Sequence, residues 1–294
     1  MDEPIGIIAG GGALPVATAE GIRAAGRRPV AVGFAGQFDP ALPSRCDAFC
    51  PVGTLRIGQW ARNLRRMGAR TAVMVGGVDK SRLMYMPMWR KALVMRPDWR
   101  VLWLWYRVLR KDKRSQTMLT AIAEQVRQAG IELIDSTRYI PEHLATAGVM
   151  TRRQPTAAQR GDVAMGWPIL MQMNHLEIGQ AIAVRDRDVV AVEAVEGTDA
   201  MIRRAGGLSR GGGWCLLKGA GPSKDLRFDV PTVGPQTIEA LAEAGAGCLA
   251  LDAGRVILLD KPRLLEAADA AGIAVIGVEG GTPSGVELAS EARG

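Results

Sequence analysis

Three polar stretches in the second half of this 294-residue chain hold the side chains whose types and spacing can do chemistry. The first, EAVEGTDAMIRR over residues 193–204, places Glu193, Glu196 and Asp199 at a strand end and helix start, with Arg203 and Arg204 one turn further on. Carboxylates near a helix N-terminus also serve as ordinary caps, so each acid has a structural reading beside the functional one. The second, LLKGAGPSKD over residues 216–225, sets Lys218 and Lys224 around a glycine–proline turn whose backbone amides can face an anion. It lacks the Gly-x-x-x-x-Gly-Lys spacing of a Walker A loop, and otherwise reads as a surface turn. The third, LRFDVPTVGPQT over residues 226–237, embeds Asp229 between Phe228 and Val230 ahead of Pro231. A carboxylate among apolar neighbours requires a partner. A divalent metal is one, and Mg2+ typically takes one or two protein carboxylates together with substrate phosphate. An arginine, Arg227 or Arg203, is the other.

Acids, cations and glycines in this combination describe a phosphate-handling site. A pyrophosphate bond breaks slowly because its anionic oxygens repel a nucleophile and the leaving phosphate gathers charge. Lysine, arginine and Mg2+ counter both effects without a covalent intermediate.

A fourth stretch opens the chain. IIAGGGALP, residues 7–15, fits Gly-x-Gly at Gly10 and Gly12, but Pro15 stands where the dinucleotide fingerprint has its third glycine. The ribose-binding acid expected after the second strand is also missing, since VAVGF runs into AGQF before Asp39. The turn therefore matches a dinucleotide fold while arguing against NAD and an oxidoreductase.

The elements that must carry these residues alternate along the chain. Residues 4–10 read as a buried strand, 14–25 as a helix ended by Gly26, and 29–34 as a second strand followed by a polar, proline-bearing connection. A helix over 57–67, a strand over 71–75, a helix over 116–128 and a strand over 131–135 continue the series. Strands separated by helical lengths predict a parallel sheet covered by helices. Weak periodicity over 148–161 marks the boundary, and a helix over about 162–178 leads into the second half. There AIAV and VVAVEAV read as a hairpin, and WCLLKGA, CLAL, VILLD and IAVIGVE as further strands. Helices are expected from Thr198 or Asp199 through Arg203, over 237–245 with Thr237 as its cap, and over 262–271; the residues from 280 onward read as a tail.

Composition bounds the rest. The length suits two domains, with one large α/β domain as the alternative, and a hydrophobic fraction of 48% is ample for a core. No apolar run reaches the roughly 18–20 residues that span a bilayer, and the first residues do not read as a signal peptide, so a cytoplasmic location is expected. Four scattered cysteines exclude a disulfide scaffold; Cys46 and Cys50 can face each other on a helix, but with two histidines in the chain a zinc site is not expected. The charge is localised. Residues 80–114 hold eleven Lys or Arg against Asp98 and Asp112, a local +9 that leaves −2 for the rest of a chain whose formal charge is +7. The same region holds Trp89, Trp99, Trp103 and Trp105 among several methionines. One reading packs these rings into a core with basic stems snorkelling outward. The other is an adaptable apolar surface rimmed by positive charge, suited to a lipid tail beside a phosphate or to an anionic membrane. No nucleic-acid module accompanies the segment, so nucleic acid is not an expected partner.

Four motifs in order, IIAGGGALP, HLEIGQAIAV, VEAVEGTDAMIRRAG and RFDVPTVGPQTIEALAEAG, resemble the LpxI family, the UDP-2,3-diacylglucosamine pyrophosphatases of lipid A biosynthesis. The resemblance runs over nearly the whole chain. It implies two α/β domains with the active site in the cleft between them: a Rossmann-like nucleotide-side domain over 1–155, a parallel sheet with flanking helices, and a catalytic α/β domain over 156–294. It implies Mg2+-dependent hydrolysis to UMP and 2,3-diacylglucosamine 1-phosphate, with water attacking the sugar-side phosphorus. Carried onto this sequence, the family's essential aspartate falls on Asp229 and its lysine on Lys218, with Arg203 as a further catalytic cation. Gly10, Gly11 and Gly12 are expected on the nucleotide side, and Leu14, Pro15, Glu196, Gly197, Thr198, Asp199 and Thr232 are expected with them among the substrate-binding residues. Asp229, Glu196 and Asp199 are the expected metal ligands. The resemblance also implies peripheral contact with the cytoplasmic face of the inner membrane; a homodimer is carried as an expectation. The chain departs from the family where Arg114, Ser115 and Gln116 replace Gly-Asp-Asp. A relative that binds a nucleotide-linked lipid or sugar but turns it over poorly is the alternative that this departure raises.

Overall fold

The computed structural model describes residues 3–78, 98–104, 106, 115–221, 224–227 and 230–279. The chain forms two units, Met1–Ile140 with Leu226–Asp229, and Pro141–Asp225 with Val230–Gly294. Each is a sheet flanked by helices, the expected α/β class.

The first unit is built on strands β1 (Ile5–Ala9), β2 (Pro29–Phe34), β3 (Ala48–Val52), β4 (Thr71–Val75) and β5 (Glu132–Leu133), in the order β3-β2-β1-β4-β5 and parallel throughout. This is the Rossmann-type order. Every residue of β1 and β2 is buried, as expected of a parallel sheet covered on both faces. Helices α1 (Leu14–Ala24), α2 (Leu42–Arg45), α3 (Ile57–Arg66), α4 (Trp99–Leu104) and α5 (Ser115–Gln128) belong to this unit. In α3 the buried set Ile57, Trp60, Ala61 and Leu64 follows helical spacing, while Arg65 and Arg66 end the helix where its dipole favours cations. Strand β3 lies in the stretch expected to be a connection. It is an edge strand containing Pro51, a residue that edges tolerate and central strands do not. It also corrects the expectation for the thiols: Cys46 follows α2 and Cys50 lies on β3, where its sulfur accepts from Asn63 at 3.1 Å. Of the tryptophan-rich segment, residues 79–97, Trp105 and residues 107–114 lie outside the described residues. Trp99 and Trp103 on α4 are exposed, with the Arg100 guanidinium 5.4 Å from the Trp99 ring.

The second unit carries β6 (Gly148–Val149), β7 (Ala181–Arg185), β8 (Asp188–Val192), β9 (Cys215–Lys218), β10 (Thr232–Val233), β11 (Cys248–Asp252), β12 (Ile257–Leu258) and β13 (Ala274–Val278). Six of these make one sheet in the order β6-β13-β11-β9-β7-β8. Strands β13, β11 and β9 are parallel and buried at its centre; β6 and β7 add on antiparallel, and β8 closes the hairpin expected from the sequence. The VILLD stretch contributes β12, which pairs with β10 in a separate two-stranded ladder. The helices are α6 (Ala157–His175), α7 (Thr198–Leu208), α8 (Pro235–Glu243) and α9 (Lys261–Ala271). Helix α6 starts at a reciprocal Thr156–Gln159 capping box, earlier than the sequence pattern indicated. Thr237 is not the cap of α8. It sits in the first turn and its hydroxyl accepts from the amide of Gly234, the residue that does precede the helix.

Candidate active site

Lys218 is the last residue of β9, whose four residues are all buried. It therefore stands at the carboxyl end of a central parallel strand, where open α/β sheets bind ligands. Its ammonium donates to Thr198 Oγ1 at 2.9 Å, and the Thr198 hydroxyl donates to Glu193 Oε1 at 2.7 Å. The second carboxylate oxygen, Glu193 Oε2, accepts from the Gln180 amide at 3.3 Å. The Gln180 carbonyl in turn accepts from the Gly219 amide at 3.1 Å, one residue beyond Lys218. The ring closes, so the side chain of Lys218 and the backbone that follows it are tied to the same group of residues. Lys218 and Glu193 are each only 5% exposed. Buried ions are tolerated only when compensated, and Thr198 bridges these two. Thr198 also opens α7, so the positive end of that helix dipole lies beside the ammonium, an arrangement that favours an anion.

The other residues of the 193–204 stretch divide. Glu196 accepts from Arg204 at 2.6 Å and from the Ala194 amide at 3.2 Å. Its own backbone amide, followed by Arg204, holds its carboxyl below the usual range. Arg204 further donates to the Val192 carbonyl at 2.8 Å, tying the helix to the end of β8. Gly197 precedes α7 with φ of +83°, and Asp199 is exposed in its first turn. Arg203 is exposed on the same helix and lines a shallow groove with Gly206, Ala240 and Glu243, not the ring around Lys218.

Beyond Lys218 the chain turns through Gly219, Ala220 and Gly221. Asp252, the last residue of β11, accepts from the amides of Ala220 and Gly221, both at 3.3 Å. Burial pushes the Asp252 carboxyl up, against the opposing pull of Arg255 and those amides. Arg255 donates to the carbonyls of Gly221 at 2.7 Å and Lys224 at 3.2 Å, and Lys224 donates to Gln180 Oε1 at 3.1 Å. Asp252 and Arg255 did not stand out in the sequence, and Gln180 stood there within the HLEIGQAIAV motif without a role of its own. The one available signal was an acid closing an otherwise apolar strand, CLALD.

In the first unit, Gly10 and Gly11 join β1 to α1, but their amides already have backbone partners. Gly10 donates to the Val75 carbonyl at 2.9 Å and Gly11 to the Gly77 carbonyl at 2.8 Å. A side chain at Gly10 would meet the Gly77 oxygen at 2.5 Å, so glycine is required there by the close approach of the turn after β4. Gly12 follows in the turn, and Leu14 and Pro15 begin α1 with Pro15 buried. In the second unit, Thr232 lies on β10, where its hydroxyl donates to the Val230 carbonyl at 3.2 Å. Asp229 and Phe228 lie outside the described residues, as do Pro222, Ser223, Arg114 and the tail from residue 280.

Among the described residues no three His, Cys, Asp or Glu side chains converge as a metal cluster. Mg2+ does not require one, because water and substrate phosphate supply most of its ligands. Of the expected ligands, Asp199 is exposed while Glu196 is engaged by Arg204. Both are carboxylates, the hard oxygen donors that Mg2+ takes together with water and phosphate.

Residues 4–143 match the family model described as the LpxI N-terminal domain, and residues 146–276 match the LpxI C-terminal domain. The chain is also similar to UDP-2,3-diacylglucosamine pyrophosphatase LpxI of Caulobacter vibrioides, with 29% identity over 282 residues, covering 94% of this chain and 97% of that protein. No described helix is long and apolar enough to cross a membrane.

Proposed function

This chain belongs to the LpxI family, and from that premise we propose that it hydrolyses the pyrophosphate of UDP-2,3-diacylglucosamine with Mg2+, giving UMP and 2,3-diacylglucosamine 1-phosphate. In this reading a water oxygen bonds to the sugar-side phosphorus, the bond from that phosphorus to the bridging oxygen breaks, and UMP leaves with the bridging oxygen. When bound, Mg2+ supplies positive charge to the phosphate oxygens. Asp229 and Asp199 are its proposed protein ligands; Glu196 could join them only by giving up Arg204. The observation that carries the reading is Lys218, a buried ammonium at the carboxyl end of β9 beside the N-terminus of α7. A preorganised cation of this kind stabilises charge gathering on the leaving phosphate. Arg203 is the proposed second cation. Gly10, Gly11, Gly12, Leu14 and Pro15 are assigned to the nucleotide, and Gly197, Thr198 and Thr232 to the rest of the substrate. The basic tryptophan-rich segment is assigned to the acyl chains and to peripheral membrane contact.

The test is release of UMP from UDP-2,3-diacylglucosamine by purified protein with Mg2+. Asp229→Ala and Lys218→Ala should each lose at least about 10²-fold in kcat, the scale of removing one transition-state electrostatic contact. No release above the Asp229→Ala control would overturn the reading. A binding isotherm for the substrate without turnover would instead favour the poorly catalytic relative raised by Arg114, Ser115 and Gln116.

A further inference from the structure

We propose that Asp252 and Arg255 are positioning residues for this hydrolysis, a two-sided clamp that fixes the turn after Lys218 and thereby the ammonium itself. The inference rests on the hydrolytic reading above. Strands β9 and β11 are parallel neighbours in which Lys218 pairs with Leu251, so Asp252 stands one residue further along, beside Gly219, the first residue of the turn. From one side, the Asp252 carboxylate takes the Ala220 and Gly221 amides. From the other, the Arg255 guanidinium takes the Gly221 and Lys224 carbonyls. Arg255 Nε also stands 3.7 Å from Asp252 Oδ2, so donors and acceptors of one turn are held by two opposite charges in contact.

The turn has little room to relax. A side chain at Gly219 would meet the Asp252 Cβ at 3.1 Å and the Met171 methyl at the same distance. Gly221 has φ of +68°, a left-handed turn that glycine adopts without strain, and a Cβ there would lie 3.0 Å from that of Asn174. Asp252 is 5% exposed, and removing a carboxylate from water is costly. A surface connection ordinarily leaves its backbone polar groups to solvent. Placing a buried carboxylate and its half-buried arginine partner on this turn is the arrangement expected where the position of a neighbouring charge matters. In sequence, the clamped turn lies between Lys218 and Asp229, the two residues on which the hydrolytic reading depends.

The experiment uses the full chain with Asp252→Ala, Asp252→Asn, Arg255→Met and Arg255→Lys. Two quantities are read: kcat and KM for UMP release, and amide hydrogen exchange over residues 216–227. Asp252→Ala should lower kcat on the order of 10²-fold, the cost of a misplacement of about 1 Å, with KM within about threefold. Exchange at 219–221 should accelerate at least about tenfold, as local opening becomes easier. Asp252→Asn retains an acceptor and should recover most of the lost kcat. Both Arg255 bonds come from one nitrogen, Nη2, and a lysine ammonium also carries several donors on one nitrogen, so Arg255→Lys should recover part of the kcat lost in Arg255→Met. If Asp252→Ala does not fold, Asp252→Asn and the Arg255 pair carry the same comparison. Unchanged exchange, or kcat within twofold of the parent in both Asp252→Ala and Arg255→Met, overturns the clamp. If the parent itself releases no UMP, the hydrolytic reading fails, and the exchange measurement still decides whether these residues hold the turn.

Discussion

Replacing Thr198 by valine keeps the shape of the side chain and removes the hydroxyl that joins Lys218 to Glu193. Two hydrogen bonds disappear, one of 2.9 Å from the ammonium and one of 2.7 Å to the carboxylate. Both partners are 5% exposed, so water cannot freely replace the hydroxyl. Hydrogen bonds to charged groups contribute about 1.5–3 kcal/mol each. Lys218 and Glu193 can recover part of the loss by closing on each other, which leaves a net cost of about 2–3 kcal/mol. For a unit of roughly 150 residues, each kcal/mol lowers Tm by about 2–4 °C, so Tm should fall by about 4–12 °C. The activity should fall further than stability explains, because a Lys218 drawn toward Glu193 leaves the position from which, in the proposed reaction, it meets a phosphate. A kcat loss of about 10²-fold, measured as UMP release at a temperature where the variant stays folded, is the expected result. Thr198→Ser keeps the hydroxyl and should remain within a few-fold of the parent. A Thr198→Val protein with Tm within 1 °C of the parent and unchanged kcat would falsify the bridging role. A serine variant as impaired as the valine variant would do the same.

Other consequences can be measured directly. Gly10→Ala brings a methyl group within 2.5 Å of the Gly77 carbonyl and should destabilise the first unit by about 2–3 kcal/mol, whereas Gly77→Ala meets nothing within 4 Å and should be nearly neutral by thermal denaturation. Hydrogen bonds from Arg127 and then Gln128 lower the Glu124 carboxyl from 4.5 to about 2. A depressed pKa contributes stability that is present above the unfolded value and is lost as pH falls from about 4.5 through about 2. An NMR titration should therefore place the Glu124 transition near pH 2 in the parent, and Arg127→Ala should return it toward the ordinary carboxylate range. Chelation with EDTA should abolish UMP release and added Mg2+ restore it; full activity in the presence of chelator would remove Mg2+ from the proposed reaction.

The sequence by itself determined the alternation of strands and helices, because each central strand is an unbroken apolar run and each long helix repeats its buried residues at helical spacing. IGIIA, PVAVGF, TAVMV, CLALD and AVIGV are strands in the structure for that reason. The AIAV and VVAV hairpin was legible from its polar centre, where Asp186 and Arg187 take positive φ. Edge elements were not legible. Strand β3 pairs along one side only and accepts Pro51, and β6 is two residues long, so neither requires an apolar run. The site divides in the same way. Lys218 and Thr198 carried recognisable motifs, but their bond joins residues 20 apart in sequence and depends on β9 ending beside the start of α7. Asp252 is 32 residues from the amide it receives at Ala220, and no local pattern connects them. Local periodicity sets which segments are strands and helices, since it reflects only which faces are buried. Which strand ends become neighbours is set by sheet order, and that order brought Asp252, Arg255 and Gln180 onto the turn that follows Lys218.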